Sequence, residues 1–279
     1  MDDWGQSNLG HEAIKTKSLH YLRCFYQESA DNRIVEQIEA VNQYHRLVME
    51  EEVQVLENLV TKEEVLEVLK EFMKDKSPGP KGWTVEFYLH FFELVASNLV
   101  EAVEEACMTG AVYKGMNTTF IALIPKVNGL ATFGDFRPIY LCNLCYKIIT
   151  KIISKRIRLI LSRTLSEEQF SFLKGRQIGD AIGTVQECLH NIKEKKLKDL
   201  ILKIDLKKTY DCISWDFLRL VLLQCGFGLM MINWIMGSVT SMSFVVLING
   251  EPTFFLVVGE DLDRGFLYRP YYSFSLWKD

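Results

Sequence analysis

The order of apolar and polar positions divides the 279 residues into a helical first part and a mixed second part. Over residues 1–70, apolar side chains recur at three- and four-residue spacing among Glu36, Glu39, Glu50, Glu57, Glu63, Glu64 and Glu67. That period predicts helices with an acidic, solvated face. Thr61 and Glu64 have capping-box spacing, and Val65, Leu66, Val68, Leu69 and Phe72 form the core face of the helix that follows. KSPGPKGW (76–83) places two prolines and two glycines where no helix can continue. A second helix is predicted over 84–107, with Phe87, Tyr88, Phe91 and Phe92 read as core rather than as stacking platforms.

Beyond that point the period alternates between strand and helix. FIALIPKV (120–127) and DFRPI (135–139) read as short strands joined by a tight loop. A long helix follows over 141–165, with apolar positions at Leu141, Leu144, Ile148, Ile149, Ile152 and Leu159. SEEQ (166–169) has capping-box spacing and opens the next segment, and Lys174-Gly175-Arg176 then breaks the helix and exposes two cations. Ile178, Ile182, Val185, Leu189 and Ile192 make one helical face, ahead of the basic KEKKLK (193–198). Leu200, Ile201, Leu202 and Ile204 predict a buried strand that ends on Asp205, and Ser214 caps a helix running to Gly226. A further helix over 229–236 leads to strands at 243–248 and 253–258, paired across Asn249-Gly250.

Composition changes this picture in three ways. The net charge of −4 hides an asymmetry: residues 1–110 carry 10 basic and 21 acidic side chains, residues 111–279 carry 22 and 15. A basic second part suits an anionic partner such as phosphate, and it also suits ordinary helix surface. The seven cysteines are odd in number and scattered, which fits reduced thiols. Cys142 and Cys145 form a C-x-x-C with no second pair, so they read as small core residues on a helix. No apolar leader follows Met1, so secretion is not expected. The run 229–248 is long enough to span a bilayer, but Asn233, Ser238, Thr240, Ser241 and Ser243 interrupt it. It reads as a buried helix and a strand, and no membrane partner is expected.

Three places carry candidate chemistry. A carboxylate on a buried strand loses its hydration unless it gains a partner. Strand, Asp205, tight turn and capped helix can hold an acid at the mouth of a sheet for a divalent metal; the same order suits an Asp that merely caps a turn. Lys126 and Arg137, on two strands joined by a tight loop, are placed to clamp a triphosphate, the Lys as a point charge and the Arg as a planar fork. Lys147, Lys151, Lys155 and Arg158, spaced by four, four and three, line one helix face that fits a nucleic-acid backbone and equally a solvated surface.

Taken in order, these segments resemble the reverse transcriptase of non-LTR (LINE-type) retrotransposons, most closely the kind abundant in plant genomes. KSPGPKG resembles that family's K-x-P-G-x-D-G loop, and FIALIPKV with DFRPI its fingers motifs. LSEEQFSFLKGRQ resembles its S-x-x-Q-x-x-F-x-x-G-R segment, KIDLKKTYDCISWDFL its first catalytic-aspartate motif, and SFVVLINGEP the hairpin before the next motif. The resemblance implies an α+β right-hand polymerase: a helical N-terminal extension over 1–115, with its Pro/Gly loop at 76–83, then fingers and an incomplete palm over 116–279.

It also implies roles. Asp205 is the catalytic, metal-binding carboxylate and the backbone carbonyl of Leu206 a second ligand. Tyr210 packs under the deoxyribose and excludes a 2′-hydroxyl. Lys126 and Arg137 hold the incoming triphosphate, and Gln169, Gly175 and Arg176 lie near template and nucleotide. The partners would be an RNA template, a DNA primer and a dNTP, the cofactor Mg²⁺ or Mn²⁺, the reaction two-metal phosphoryl transfer, and the place of action the nucleus or cytoplasm.

The departures from the pattern shape the expectation. FLYRP follows Arg264-Gly265 where the family has L-R-Q-G-D-P, Lys81 replaces the loop Asp, and no [YF]-x-D-D occurs in these residues. The expected protein is therefore a truncated polymerase piece, inactive alone, or a decayed remnant with at most non-specific nucleic-acid binding.

Overall fold

The computed structural model describes residues 15–18, 20, 34–126, 133–166, 168–170, 175–196, 202–204, 213–248 and 250–257. From residue 34 the chain forms α1 (Ile34–Val41), α2 (Glu50–Leu56) and α3 (Lys62–Glu71). Helix α3 starts at the predicted cap: Thr61 Oγ1 accepts the Glu64 N–H at 3.1 Å, and Val65, Val68 and Leu69 are buried. The Glu64 carboxylate does not reach back to complete a capping box, because Arg156 holds it.

The helix predicted over 84–107 is two helices, α4 (Val85–His90) and α5 (Phe92–Thr109), separated at Phe91. Helix α5 ends on Gly110, in the left-handed region at φ 63°. There α10 (Leu229–Thr240) crosses so closely that Gly237 has no room for a Cβ against the Gly110 carbonyl. A short helix, α6 (Lys114–Asn117), leads into β1 (Thr118–Pro125), and β2 (Phe136–Cys142) returns antiparallel to it. After α7 (Leu144–Thr164), α8 (Ile178–Glu194), α9 (Trp215–Gln224) and α10 come β3 (Ser243–Ile248) and β4 (Glu251–Val257). Among the described residues the strands make one sheet, ordered β2-β1-β3-β4, with β1 and β3 parallel and both outer pairs antiparallel. The predicted β3–β4 hairpin forms, with Ile248 opposite Glu251 and Gly250 at φ 81°.

One sheet face carries Ile121, Cys142, Phe244 and Val246, all buried against the helices. Helix α7 lies at the centre of those helices, and Tyr146, Ile148, Ile149 and Ile152 on it are fully buried. The apolar core runs without a break from Val48 to Ile248, across the position near 115 where the sequence suggests a boundary. Cys142 ends β2 and Cys145 lies in the first turn of α7; both are free thiols. The uncharged run after Gly228 is α10 followed by β3, and no helix among the described residues is long and apolar enough to cross a membrane.

Several expectations are corrected. Leu202, Lys203 and Ile204 form no strand, and Leu202 and Ile204 are 74% and 69% exposed. A buried strand needs a hydrogen-bonded neighbour, and none of the described strands pairs with these residues. Helix α8 forms as predicted but buries no residue: Ile178, Ile182, Val185 and Leu189 are exposed. Among the described residues 166 and 168–170 there is a turn, closed by Gln169 N–H to the Ser166 carbonyl at 3.2 Å, and no helix. In the aromatic group Phe92 is buried, whereas Phe91 and Trp83 are exposed, with Phe87 stacked between them at ring-centroid distances of 5.1 Å and 4.1 Å.

Candidate phosphate-binding hairpin

The β1–β2 hairpin exists because FIALIP and FRPIYLC are rich in β-branched and aromatic side chains. Its register pairs Ile124 with Arg137 and Ala122 with Ile139. Cross-strand partners share a face, and side chains alternate along a strand. The ladder continues one step, with Lys126 N–H donating to the Asp135 carbonyl at 2.8 Å. Lys126 therefore lies on the same face as Ile124 and Arg137, one diagonal step from the guanidinium. Lys126 Nζ also donates to the Gly134 carbonyl at 2.7 Å, which fixes the ammonium at the hairpin tip and leaves two donors for a ligand. Arg137, Ile124 and Ile139 are exposed. Opposite the core, the tip of the β1–β2 hairpin is therefore exposed and carries two cations beside Ile124 and Ile139, whereas Val245 further along the same face is buried.

Asn143 holds the base of this hairpin and is itself buried. Its Oδ1 accepts the Lys81 N–H at 2.9 Å, and its Nδ2 donates to the Thr118 carbonyl at 3.1 Å. One amide thus ties the Pro/Gly loop to the start of β1. The Gly79 backbone packs so tightly on Cys142 and Asn143 that no side chain fits there. Tyr88 Oη and Cys145 Sγ meet at 3.2 Å beneath the loop, and burial, with that contact, raises the Tyr88 phenol well above its ordinary range.

The basic face of α7 turns toward protein acids. Lys151 is only 4% exposed, 3.8 Å from Glu71, with its ammonium over the Phe72 ring. Lys155 bridges Glu71 at 2.8 Å and Glu67 at 3.1 Å. Burial opposes ionisation of Glu71, but the Lys155 hydrogen bond and the charges of Lys155, Lys151 and Arg158 outweigh it and hold the carboxyl below its ordinary value. Two of the four cations expected along a nucleic-acid backbone are therefore engaged with α3; Lys147 and Arg158 are half-buried.

Sequence reasoning missed Arg156. Its guanidinium takes Glu64 with two bonds, at 3.0 Å and 2.7 Å, and donates to the Leu56 and Asn58 carbonyls at 2.9 Å and 2.7 Å. It also lies over the Trp234 ring. The signal was present: Ile149, Ile153, Arg156 and Ile160 fall at one helical phase, so a charge occupies an apolar position. Asn143 carried no such signal, because only tertiary contact shows what its amide joins.

Arg176 and Gln169 do come together, since the guanidinium donates to the Gln169 carbonyl at 2.8 Å, and Gly175 precedes it at φ 86°. Asp205, Leu206 and Tyr210 lie outside the described residues. Among the described residues no group of three or more His, Cys, Asp or Glu could hold a metal ion.

Residues 124–254 match the reverse transcriptase (RNA-dependent DNA polymerase) family. The match takes in the end of β1, all of β2 and everything from α7 to β3, with Lys126 and Arg137 inside it. The chain is also 27% identical over 256 residues to the Transposon TX1 uncharacterized 149 kDa protein of Xenopus laevis, covering 91% of this chain and 19% of that relative. It therefore spans about a fifth of the relative's length. The chain is thus similar to reverse transcriptases over 124–254 and to a transposon protein over most of its length.

Proposed function

We propose that this chain is the nucleotide-facing part of a retrotransposon reverse transcriptase, and that its β1–β2 hairpin binds the phosphates of an incoming nucleotide. The observation that carries this reading is the shared face of Lys126 and Arg137 at the open end of the sheet, inside the reverse transcriptase match. A planar guanidinium and an ammonium on neighbouring strands suit a polyphosphate, and the hydrogen bond from Lys126 to Gly134 sets the geometry in advance. Asp205 with the Leu206 carbonyl is proposed as the catalytic end and Tyr210 as the residue that excludes a 2′-hydroxyl. Lys126 and Arg137 are the protein's own contributions to phosphate binding in this reading.

Nucleic-acid binding is expected to be sequence-independent and to weaken steeply with salt, because phosphate neutralisation releases counterions. Lys126, Arg137, Lys147 and Arg158 are the proposed contacts, while Lys151 and Lys155 are held by α3. Anisotropy titration of an RNA–DNA primer-template over a range of salt tests this. Affinity that persists in molar salt, or that distinguishes sequences, refutes it. The residues include Asp205 but no paired-aspartate motif, so primer extension by the 279-residue chain alone is not expected. Incorporation of dNTP that disappears on Asp205→Asn would show that view to be wrong.

A further inference from the structure

Arg176 occupies a place where a template contact is expected, yet three of its five N–H donors are turned onto backbone. Nη1 donates to the carbonyls of Ser166 and Gln169, the latter at 2.8 Å, and Nη2 donates to the Leu165 carbonyl at 3.0 Å. These carbonyls follow directly on the end of α7, where Leu165 is the cap residue and its N–H bonds the Leu161 carbonyl at 3.1 Å. Of the three, the Leu165 carbonyl belongs to the helix C-terminus, which lacks intrahelical donors and carries partial negative charge, so a cation beside it meets both needs. The left-handed Gly175 turns the chain so that the next residue reaches back to α7. Immediately afterwards Gln177 N–H meets the Asp180 carboxylate at 3.3 Å and α8 begins. One side chain therefore closes the connection between α7 and α8.

We propose that Arg176 is a positioning residue: it clamps the 165–169 turn to the end of α7, fixes the backbone of Gln169, and makes no phosphate contact of its own. This rests on the proposed function in one respect only, that the Gln169 turn faces nucleic acid. A planar fork suits this site better than an ammonium, because its donors sit on separate nitrogens held in one plane, whereas the three donors of an ammonium share one nitrogen. Charge alone should not replace it.

The full chain, R176K and R176Q separate the alternatives. Two measurements are made on each: hydrogen exchange at the Leu165 and Gln169 amides, and anisotropy titration of a single-stranded RNA oligonucleotide across salt. Both substitutions should speed exchange at those amides by about tenfold or more, the loss expected for charge-assisted hydrogen bonds, and leave β3–β4 amides unchanged. RNA affinity should fall in both, with the log–log salt slope unchanged. If R176K restores affinity while R176Q lowers the slope by about one, Arg176 holds a phosphate and the proposal fails. Faster exchange with unchanged affinity would make the clamp purely structural and overturn the positioning role. Unchanged exchange would overturn the clamp itself. A wild-type chain that binds no RNA overturns the proposed function and the positioning role with it, while the exchange data still decide the clamp.

Discussion

A guanidinium with two carboxylate bonds and two backbone carbonyls, nine-tenths out of solvent, leaves expensive debris when it is removed. Arg156→Ala would strand the Glu64 carboxylate and two carbonyls, so a loss of about 3–5 kcal/mol in urea unfolding is expected, the usual cost of breaking one side of a buried pair. A loss within about 0.5 kcal/mol, typical of surface sites, would show that the pair is not buried in solution. Glu71 gives a pH prediction. Its carboxyl is held below its ordinary value, so its contribution is complete above that value and is lost as pH falls through the lowered one. Lys155 is opposed by burial but raised above its ordinary value by Glu71 and Glu67, so its contribution persists through neutral pH and is lost only in strong alkali. Glu71→Gln should therefore flatten the acid side of a stability–pH profile and leave neutral pH to alkaline behaviour governed by Lys155 and Glu67. An acid limb as steep as the wild type's would contradict this.

The elements show what the sequence pattern could and could not convey. Thr61, Ser214 and Asn249-Gly250 were legible because caps and tight turns are local chemistry; Ser214 Oγ accepts the Phe217 N–H at 3.1 Å as its position implies. The β1–β2 hairpin was legible too, since two short runs around a tight loop marked both strands and put Lys126 and Arg137 near one another. Burial was not local. The stripe Ile178, Ile182, Val185 and Leu189 has the period of a core face, and so has the basic stripe of α7 that of a solvent face; tertiary contact reverses both. A period reports which residues share a side, and only packing decides what that side meets. Ile182→Gln and Val185→Gln should accordingly each change stability by less than about 0.5 kcal/mol in the full chain. A loss of about 2 kcal/mol or more, the cost of emptying a packed core position, would mean that α8 is covered in solution.

In the molecule as a whole, the N-terminal helices and the sheet are held by one core and by the cations of α7. Val65, Val68 and Leu69 of α3 and Val103 of α5 are buried in the same core as Ile149, Ile152 and Val246. Removing residues 1–113 would expose that surface, and residues 114–279 alone should show no cooperative melt; a sharp transition would make the first part dispensable. What the sheet presents outward is the tip of the β1–β2 hairpin, with Lys126 and Arg137 on it. Titration of a deoxynucleoside triphosphate into the full chain and into K126A/R137A, with the unphosphorylated nucleoside as control, tests the phosphate-binding claim directly. The double variant should weaken triphosphate binding by about tenfold or more, as the loss of charge-assisted hydrogen bonds requires, and leave the nucleoside unaffected. Equal triphosphate affinity in the two proteins would contradict it.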